Sequence, residues 1–298
     1  MIKFLIYKYQ ILVILIIKKI RFFDKAYKKK IYRFFFKRKK KFFDSDIKIE
    51  PEKGFLIVKK NKLPNNENLI NKCIKDSIFL YENQKNSSGT KKYLRNILST
   101  NNEEQIKNYL NFFLDNNIIQ IVKNYLKTEP LLVELKLLHS PVIYDDTNNG
   151  SQLFHCDFDD DKIIKIFLNI FNVNERSGPL QCIQANKSNK IRKNWSINLG
   201  EHSNNIEKHI SLSEINTFTG LSGDMIFIDT SSCFHRGSVD TKEDRLILYA
   251  NFVSRSSYRF PPIFKKSKFR NIINNHSPLN NYSKFVKEDK LKYLVNSQ

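Results

Sequence analysis

Ser151-Gln-Leu-Phe-His155-Cys-Asp157-Phe-Asp-Asp-Asp-Lys-Ile-Ile-Lys165-Ile-Phe-Leu168 is the stretch on which the reading of this chain turns. It sets an imidazole and a carboxylate two positions apart in a segment expected to be extended. Successive strand side chains point to opposite faces, so His155 and Asp157 share one face and Cys156 takes the other. Further on, Gly223-Asp-Met-Ile-Phe-Ile-Asp229-Thr-Ser-Ser-Cys233-Phe-His235-Arg-Gly-Ser238 delivers a second histidine at the end of an apolar run. Two imidazoles and one carboxylate can form a facial triad that leaves three positions open on an iron(II) ion. A short H-x-D match arises by chance often enough that its surroundings must carry the argument.

The surroundings of this stretch are β-rich. From Leu131 onward, short apolar runs alternate with clusters of Asn, Asp, Ser and Gly, which predicts a sandwich or jelly roll. The expected strands are 131–138, 151–158, 163–171, 179–183, 224–229 and 245–253, with a short extended piece earlier at 54–58. Before them the spacing is helical. Ile70, Cys73, Ile74, Ser77 and Ile78 fall on one face, and the loop at 83–90 ends that helix. A second helix carries Ile106, Tyr109, Leu110, Phe113 and Leu114 at core spacing, with Thr100 and Glu103 expected as a capping box. A third, at 118–126, stops before Pro130. Helices first and strands afterwards imply an α+β chain. The long polar interval 186–216 breaks the strand rhythm, and a loop of that length is expected to cover a substrate.

With the strands goes a series of motifs in fixed order: Ser151, Gln152, His155 and Asp157; Lys165, Phe167 and Leu168; Asn172-Val173 with Gly178-Pro179; Gly223-Asp224; Asp229-Thr230; His235-Arg236-Gly237; and Arg245. This order resembles the phytanoyl-CoA dioxygenase-like branch of the iron(II)/2-oxoglutarate-dependent oxygenases, over about residues 130–255. Two positions depart from that pattern: Asn172 stands where an Asp is usual, and Ala185-Asn186-Lys187 where many relatives carry G-S-H.

The resemblance implies a double-stranded β-helix (jelly roll, cupin-like) catalytic core with an N-terminal helical region packed on it. It implies that His155, Asp157 and His235 are the catalytic metal ligands, with 2-oxoglutarate filling two open positions and dioxygen the third. The expected reaction hydroxylates a small or lipid-like metabolite and releases succinate and carbon dioxide. Arg245 is the expected partner of the distal 2-oxoglutarate carboxylate, because a guanidinium fork matches a carboxylate and keeps its charge when buried. The turn Ser238–Asp244 is expected to fold His235 and Arg245 opposite each other in a hairpin, with Arg236 pointing away. An Arg245 bridging Asp244 or Glu243 at the surface is the alternative. Gln152 and Lys165 are further cosubstrate candidates by resemblance, although Lys165 also suits a solvated sheet face. Asp229 and Thr230 are expected to fix the loop that presents His235. A zinc site of His155, Cys156, Cys233 and His235 is disfavoured because adjacent strand residues face opposite sides. His139, His202, His209 and His276 lie in no comparable neighbourhood, and Asp159–Asp161 read as a solvated turn.

The formal charge is +21, yet residues 1–43 hold fifteen Lys and Arg against the single Asp24 and so carry two thirds of it. Nucleic acid is therefore an unlikely partner, and a small-molecule substrate the expected one. The N-terminal segment interleaves cations with Phe and Ile. Its uncharged run, Tyr9 to Ile17, is shorter than the roughly twenty residues a span needs, so peripheral contact with anionic lipid competes with packing on the domain. Four cysteines without C-x-x-C spacing suggest a cytoplasmic setting, with the inner membrane surface as the place for a lipid-bound form. The expected division is 1–43, an oxygenase domain at 44–258 (helical to 130, jelly roll from 131) and a polar tail at 259–298. A catalytically silent jelly-roll binding module and a basic membrane-surface adaptor are the rival functions.

Overall fold

A computed structural model describes residues 47–63, 66–84, 92–99, 101–128, 130–142, 148, 150–157, 162–195 and 206–254. The basic segment 1–43, Thr100, Asp159–Asp161, His202, His276 and the tail at 259–298 lie outside them. No helix of the described residues is long and apolar enough to cross a membrane.

Three helices precede the main strands. Helix α1 (Glu67–Gln84) buries Ile70, Cys73, Ser77 and Leu80 on one stripe, and Ser77 Oγ lies 3.0 Å from the hydroxyl of Tyr109 on α2 (Glu103–Phe113). Glu103 is the first helical residue of α2, so the expected box with Glu103 at its third position does not form. The Asn102 side chain instead accepts from the Ser99 N–H behind it, at 2.8 Å, and makes no cap. Helix α3 (Asn116–Leu126) is capped by Asp115, whose carboxylate accepts from Asn117 N–H, and ends on Lys127 in the left-handed region at φ 56°.

The strands form two antiparallel sheets. In order, the larger runs β1 (Phe55–Val58), β7 (Met225–Asp229), β4 (Ile163–Asn169), β9 (Arg245–Ser254), β3 (Pro130–Ser140) and β2 (Arg95–Asn96). The smaller runs β6 (Ile215–Phe218), β5 (Leu180–Ile183) and β8 (His235–Arg236). After β3 the chain crosses to lay His155 against His235 of β8, returns for β4, crosses for β5 and β6, returns for β7, crosses for β8 and returns for β9. This alternation between facing sheets is a jelly roll.

Period two then sorts the side chains of the large sheet. Ile164, Ile166 and Leu168 of β4, Met225 and Phe227 of β7, and Leu246, Leu248, Ala250 and Phe252 of β9 pack against α1, α2 and α3. The opposite face looks into the roll, where Ile226, Ile228, Phe55 and Phe167 meet Leu180, Cys182 and Phe218 from the small sheet. Burying one face under helices and the other under a second sheet is what makes a strand such as β9 solvent-free along its whole length.

Three expectations need correcting. Residues 151–157 form no regular strand: a 3-10 turn at Gly150–Gln152 leads into bridge residues Phe154 and His155, with His155 paired to His235. His235 and Arg245 are not hairpin partners, because β8 pairs with β5 while β9 pairs with β3 and β4, so the intervening segment carries the chain from one sheet to the other. The interval 186–216 is not one long loop. It opens as helix α4 (Ala185–Trp195) and closes with two 3-10 turns and β6, while 196–205 fall outside the described residues. Ile191 and Ile206 from this interval pack with Phe154, Cys156, Ile183 and Phe234.

Candidate metal centre

Although His155 sits in irregular backbone, it is held from two sides. Its N–H donates to His235 O at 3.2 Å, His235 N–H donates back to His155 O at 2.9 Å, and Asp157 N–H donates to Thr230 O at 2.8 Å. These bonds lock the H-x-D segment alongside the residues preceding and including His235, and three side chains converge. One ligand atom from each of His155, Asp157 and His235 lies within 4.8 Å of the others. His155 Nε2 is 3.9 Å from Asp157 Oδ1, and His235 Nε2 is 3.9 Å from Asp157 Oδ2.

The imidazoles are oriented for metal binding. His155 Nδ1 lies 2.9 Å from Leu153 O, and His235 Nδ1 lies 3.2 Å from Cys233 O. A carbonyl can only accept, so each Nδ1 carries a proton, and in the neutral ring the lone pair is left on Nε2. Burial, with His155 beside it, pushes His235 well below the usual imidazole range and keeps it neutral. Burial alone would push the Asp157 carboxyl up, but the Lys165 ammonium beside it holds it well below the usual carboxylate range. Two neutral imidazoles and an ionised carboxylate are what an iron(II) facial triad requires. Neither thiol joins this group. Cys156 packs with Phe154 and Ile183, Cys233 with Cys182 and Ala185, and burial pushes the Cys156 thiol up.

The loop that presents His235 hangs on Asp229. Its fully buried carboxylate accepts from Tyr125 OH (2.7 Å), Ile163 N–H (3.3 Å), and the hydroxyls of Ser231 (2.6 Å) and Ser232 (2.8 Å), together with their N–H groups. Gly54, which sequence reading passed over, backs the same loop. Its φ is 77°, and a Cβ there would stand 2.6 Å from Cys233 Sγ and 2.9 Å from Ala185 Cβ.

The other expected site residues spread along the inner face of the roll. Lys165, rather than facing solvent, places Nζ 2.6 Å from Asp157 Oδ2. Arg245 is 5% exposed, and its Nη2 donates to Ser238 Oγ (2.8 Å) and Ser140 Oγ (3.2 Å), while its buried Nε has no hydrogen-bond partner. Among the described residues no carboxylate pairs with it: Asp244 is engaged by His139, Tyr81 and Val142 N–H, and Glu243 by Arg176 and Asn174. Burial pushes the guanidinium down to about 10. Gln152 stands close by but donates to Ser238 O at 2.8 Å, bracing the segment that carries Ser238. Arg236 turns away, donating to Gln181 and stacking on Phe154 at 4.4 Å.

No protein-family model and no curated protein sequence matches the chain. Solved structures share its fold. EctD from S. alaskensis with bound Fe is 12% identical, with a TM-score of 0.50 over 69% of this chain and 74% of that one. HygX from Streptomyces hygroscopicus with nickel and 2-oxoglutarate bound is 12% identical, with a TM-score of 0.44 over 68% and 84%. The epimerase SnoN in complex with Fe3+, alpha ketoglutarate and nogalamycin RO is 12% identical, with a TM-score of 0.45 over 68% and 80%. At such identity the likeness speaks to the fold alone. The metal reading rests instead on this chain's own residues, since the His155, Asp157 and His235 side chains form a group that could hold a metal ion.

Proposed function

We propose that this chain is a non-haem iron(II)/2-oxoglutarate-dependent oxygenase of the phytanoyl-CoA dioxygenase-like kind, hydroxylating a small-molecule substrate. The observation that carries the reading is the pairing, inside one roll, of an inward-facing triad with a buried guanidinium that no acid among the described residues pairs. An unpaired buried charge costs several kcal/mol, and a dicarboxylic cosubstrate reaching Arg245 would offset that cost. The residues fit the group: three donors of the right chemistry converge, and Arg245 Nε is left without an acceptor.

In this reading His155 Nε2, His235 Nε2 and the Asp157 carboxylate hold iron(II), and Arg245, with Ser140 and Ser238 beside it, holds the distal carboxylate of 2-oxoglutarate. When bound with dioxygen, iron(II) and 2-oxoglutarate supply the oxidising chemistry, ending in succinate and carbon dioxide. The chain supplies orientation. The Leu153 and Cys233 carbonyls fix the imidazole tautomers, Asp229 fixes the approach of His235, and the Lys165 ammonium keeps Asp157 ionised. Phe55, Phe167 and Ile226 line the roll and limit water.

The test is succinate formation from 2-oxoglutarate, dependent on iron(II) and dioxygen. His155→Ala, Asp157→Ala and His235→Ala are each expected to abolish it while circular dichroism stays native, since each removes a ligand rather than core volume. Stoichiometric iron binding that survives all three changes would contradict the assignment.

A further inference from the structure

The inner face of the large sheet carries a polar wall that the metal and cosubstrate do not account for. A register shift between Leu132 and Glu134 leaves Leu132 and Val133 both buried among the helices and sets Glu134, Lys136 and Leu138 on the side facing into the roll. Bulges commonly re-aim a side chain beside a site in this way. Glu134 is opposite Asn251, and Asn251 is opposite Lys165, so the three form one row across β3, β9 and β4. At about 4.8 Å per strand, Glu134 stands about 10 Å across the row from the lysine that touches Asp157.

The wall is built around one anion. Glu134 Oε2 accepts from Tyr249 OH at 2.6 Å and from Asn251 Nδ2 at 3.2 Å, and Oε1 pairs with Lys136 Nζ at 2.8 Å. Burial pushes this carboxyl up, but Lys136 outweighs it and keeps the group ionised. Asn251, 5% exposed, has its amide orientation fixed by the bond to Glu134, and its Oδ1 accepts from none of the described residues. The wall therefore offers the Asn251 amide oxygen, which accepts from none of the described residues, beside a carboxylate that is paired with Lys136. The cation that balances them, Lys136, is the most accessible member, with its side chain 37% exposed.

Resting on the iron/2-oxoglutarate reading of the triad, we propose that this wall recognises the substrate, and that the substrate is a small molecule bearing a primary amine or guanidinium. Its N–H groups would take the place of the Lys136 ammonium on Glu134 and meet Asn251 Oδ1. The exchange keeps the charge balance and releases Lys136 towards water. An acyl chain laid on the same wall would cover the Glu134–Lys136 pair while giving it no donor, which is unfavourable. A molecule anchored about 10 Å from Lys165 is within reach of the triad, so the wall selects for small, polar substrates over long lipids.

The experiment uses the full chain loaded with iron(II) and 2-oxoglutarate, and reads succinate release with lysine, putrescine, agmatine, octanoate or decanoate added. At least one amine is expected to raise the rate, and Glu134→Gln to raise its half-saturating concentration about tenfold or more, the loss of a charge-assisted bond. Lys136→Met, which removes the resident competitor, is expected to lower that concentration, a sign that damaged folding would not produce. The proposal is overturned if no amine stimulates, if decanoate stimulates and Glu134→Gln leaves it unaffected, or if Glu134→Gln weakens 2-oxoglutarate binding as much as amine binding. Unstimulated succinate release by the wild type separates the two failures: its presence without an amine effect sinks the substrate class alone, and its absence sinks the iron/2-oxoglutarate reading as well.

Discussion

Both faces of strand β9 are buried, and they are built on opposite principles. Towards the helices, β9 presents Leu246, Leu248, Ala250 and Phe252, each 0% exposed and each packed on apolar neighbours. Towards the small sheet the same strand presents Arg245, Ile247, Tyr249 and Asn251, and two of these keep a polar atom without a partner. The first face is complete by itself, and its burial stabilises the fold directly. The second face carries desolvated polar groups that find no partner among the described residues. Burial thus says little about purpose until the partners are counted. Adjacent Asp244 and Arg245 show the contrast at one point, since Asp244 has three donors from the protein and Arg245 has no acid among the described residues.

The comparison can be broken from the outer face first. Phe252→Ala is expected to cost about 3–5 kcal/mol of stability, read as a large fall in Tm, because the cavity left between sheet and helices cannot collapse. An Arg245→Met change at the other end of the strand is expected to leave Tm unchanged or raised, since it exchanges an unpaired buried charge for an apolar chain. A loss from Arg245→Met as large as that from Phe252→Ala would mean that the inner face is structural after all.

Gly54→Ala gives a smaller effect that bridges the two faces. The added Cβ would press on Cys233 Sγ and Ala185, and the positive φ disfavours alanine. A cost of about 1–3 kcal/mol is expected, together with weaker iron binding, because Cys233 O orients His235. Equal iron affinity in this variant would show that the loop yields without disturbing its ligand.

Smallest is the acid response at Asp244. Burial raises its carboxyl, but the Tyr81 and His139 hydrogen bonds bring it below the ordinary 3.8. A group depressed in the folded state contributes stability above its unfolded pKa and loses it as the pH falls through the folded value. Asp244→Asn is therefore expected to flatten the stability curve slightly below about pH 4, whereas an unchanged slope would mean the contacts are not kept in solution.

These contrasts bear on what the sequence could reveal. The outer stripes were legible because period two in the strands and helical spacing in α1, α2 and α3 are local properties. The triad residues were legible as an ordered set of motifs, and Asp229 as their support. What escaped depended on partners. Strand β8 is two residues long and cannot announce which sheet it joins, so His235 and Arg245 read as a hairpin. Only Val133 to Leu137 alternates in sequence, between apolar runs at either end, and the register shift that turns Glu134 inward exists only against β9. Helix α4 is too polar to stand out from a loop, and Gly54 acquires its role from Cys233, far away in the chain.

The account is tested most directly by titrating 2-oxoglutarate into the iron(II)-loaded, oxygen-free protein and following the charge-transfer absorbance. Wild-type chain should give saturable absorbance, and Arg245→Ala should weaken binding about thirty- to several-thousand-fold, the loss of one partner of a buried charge pair, with iron affinity unchanged. Arg245→Lys, which keeps the charge without the fork, should fall between them. A shift below about fivefold for Arg245→Ala would contradict the account, because a guanidinium at the surface of the site contributes no more than about 1 kcal/mol.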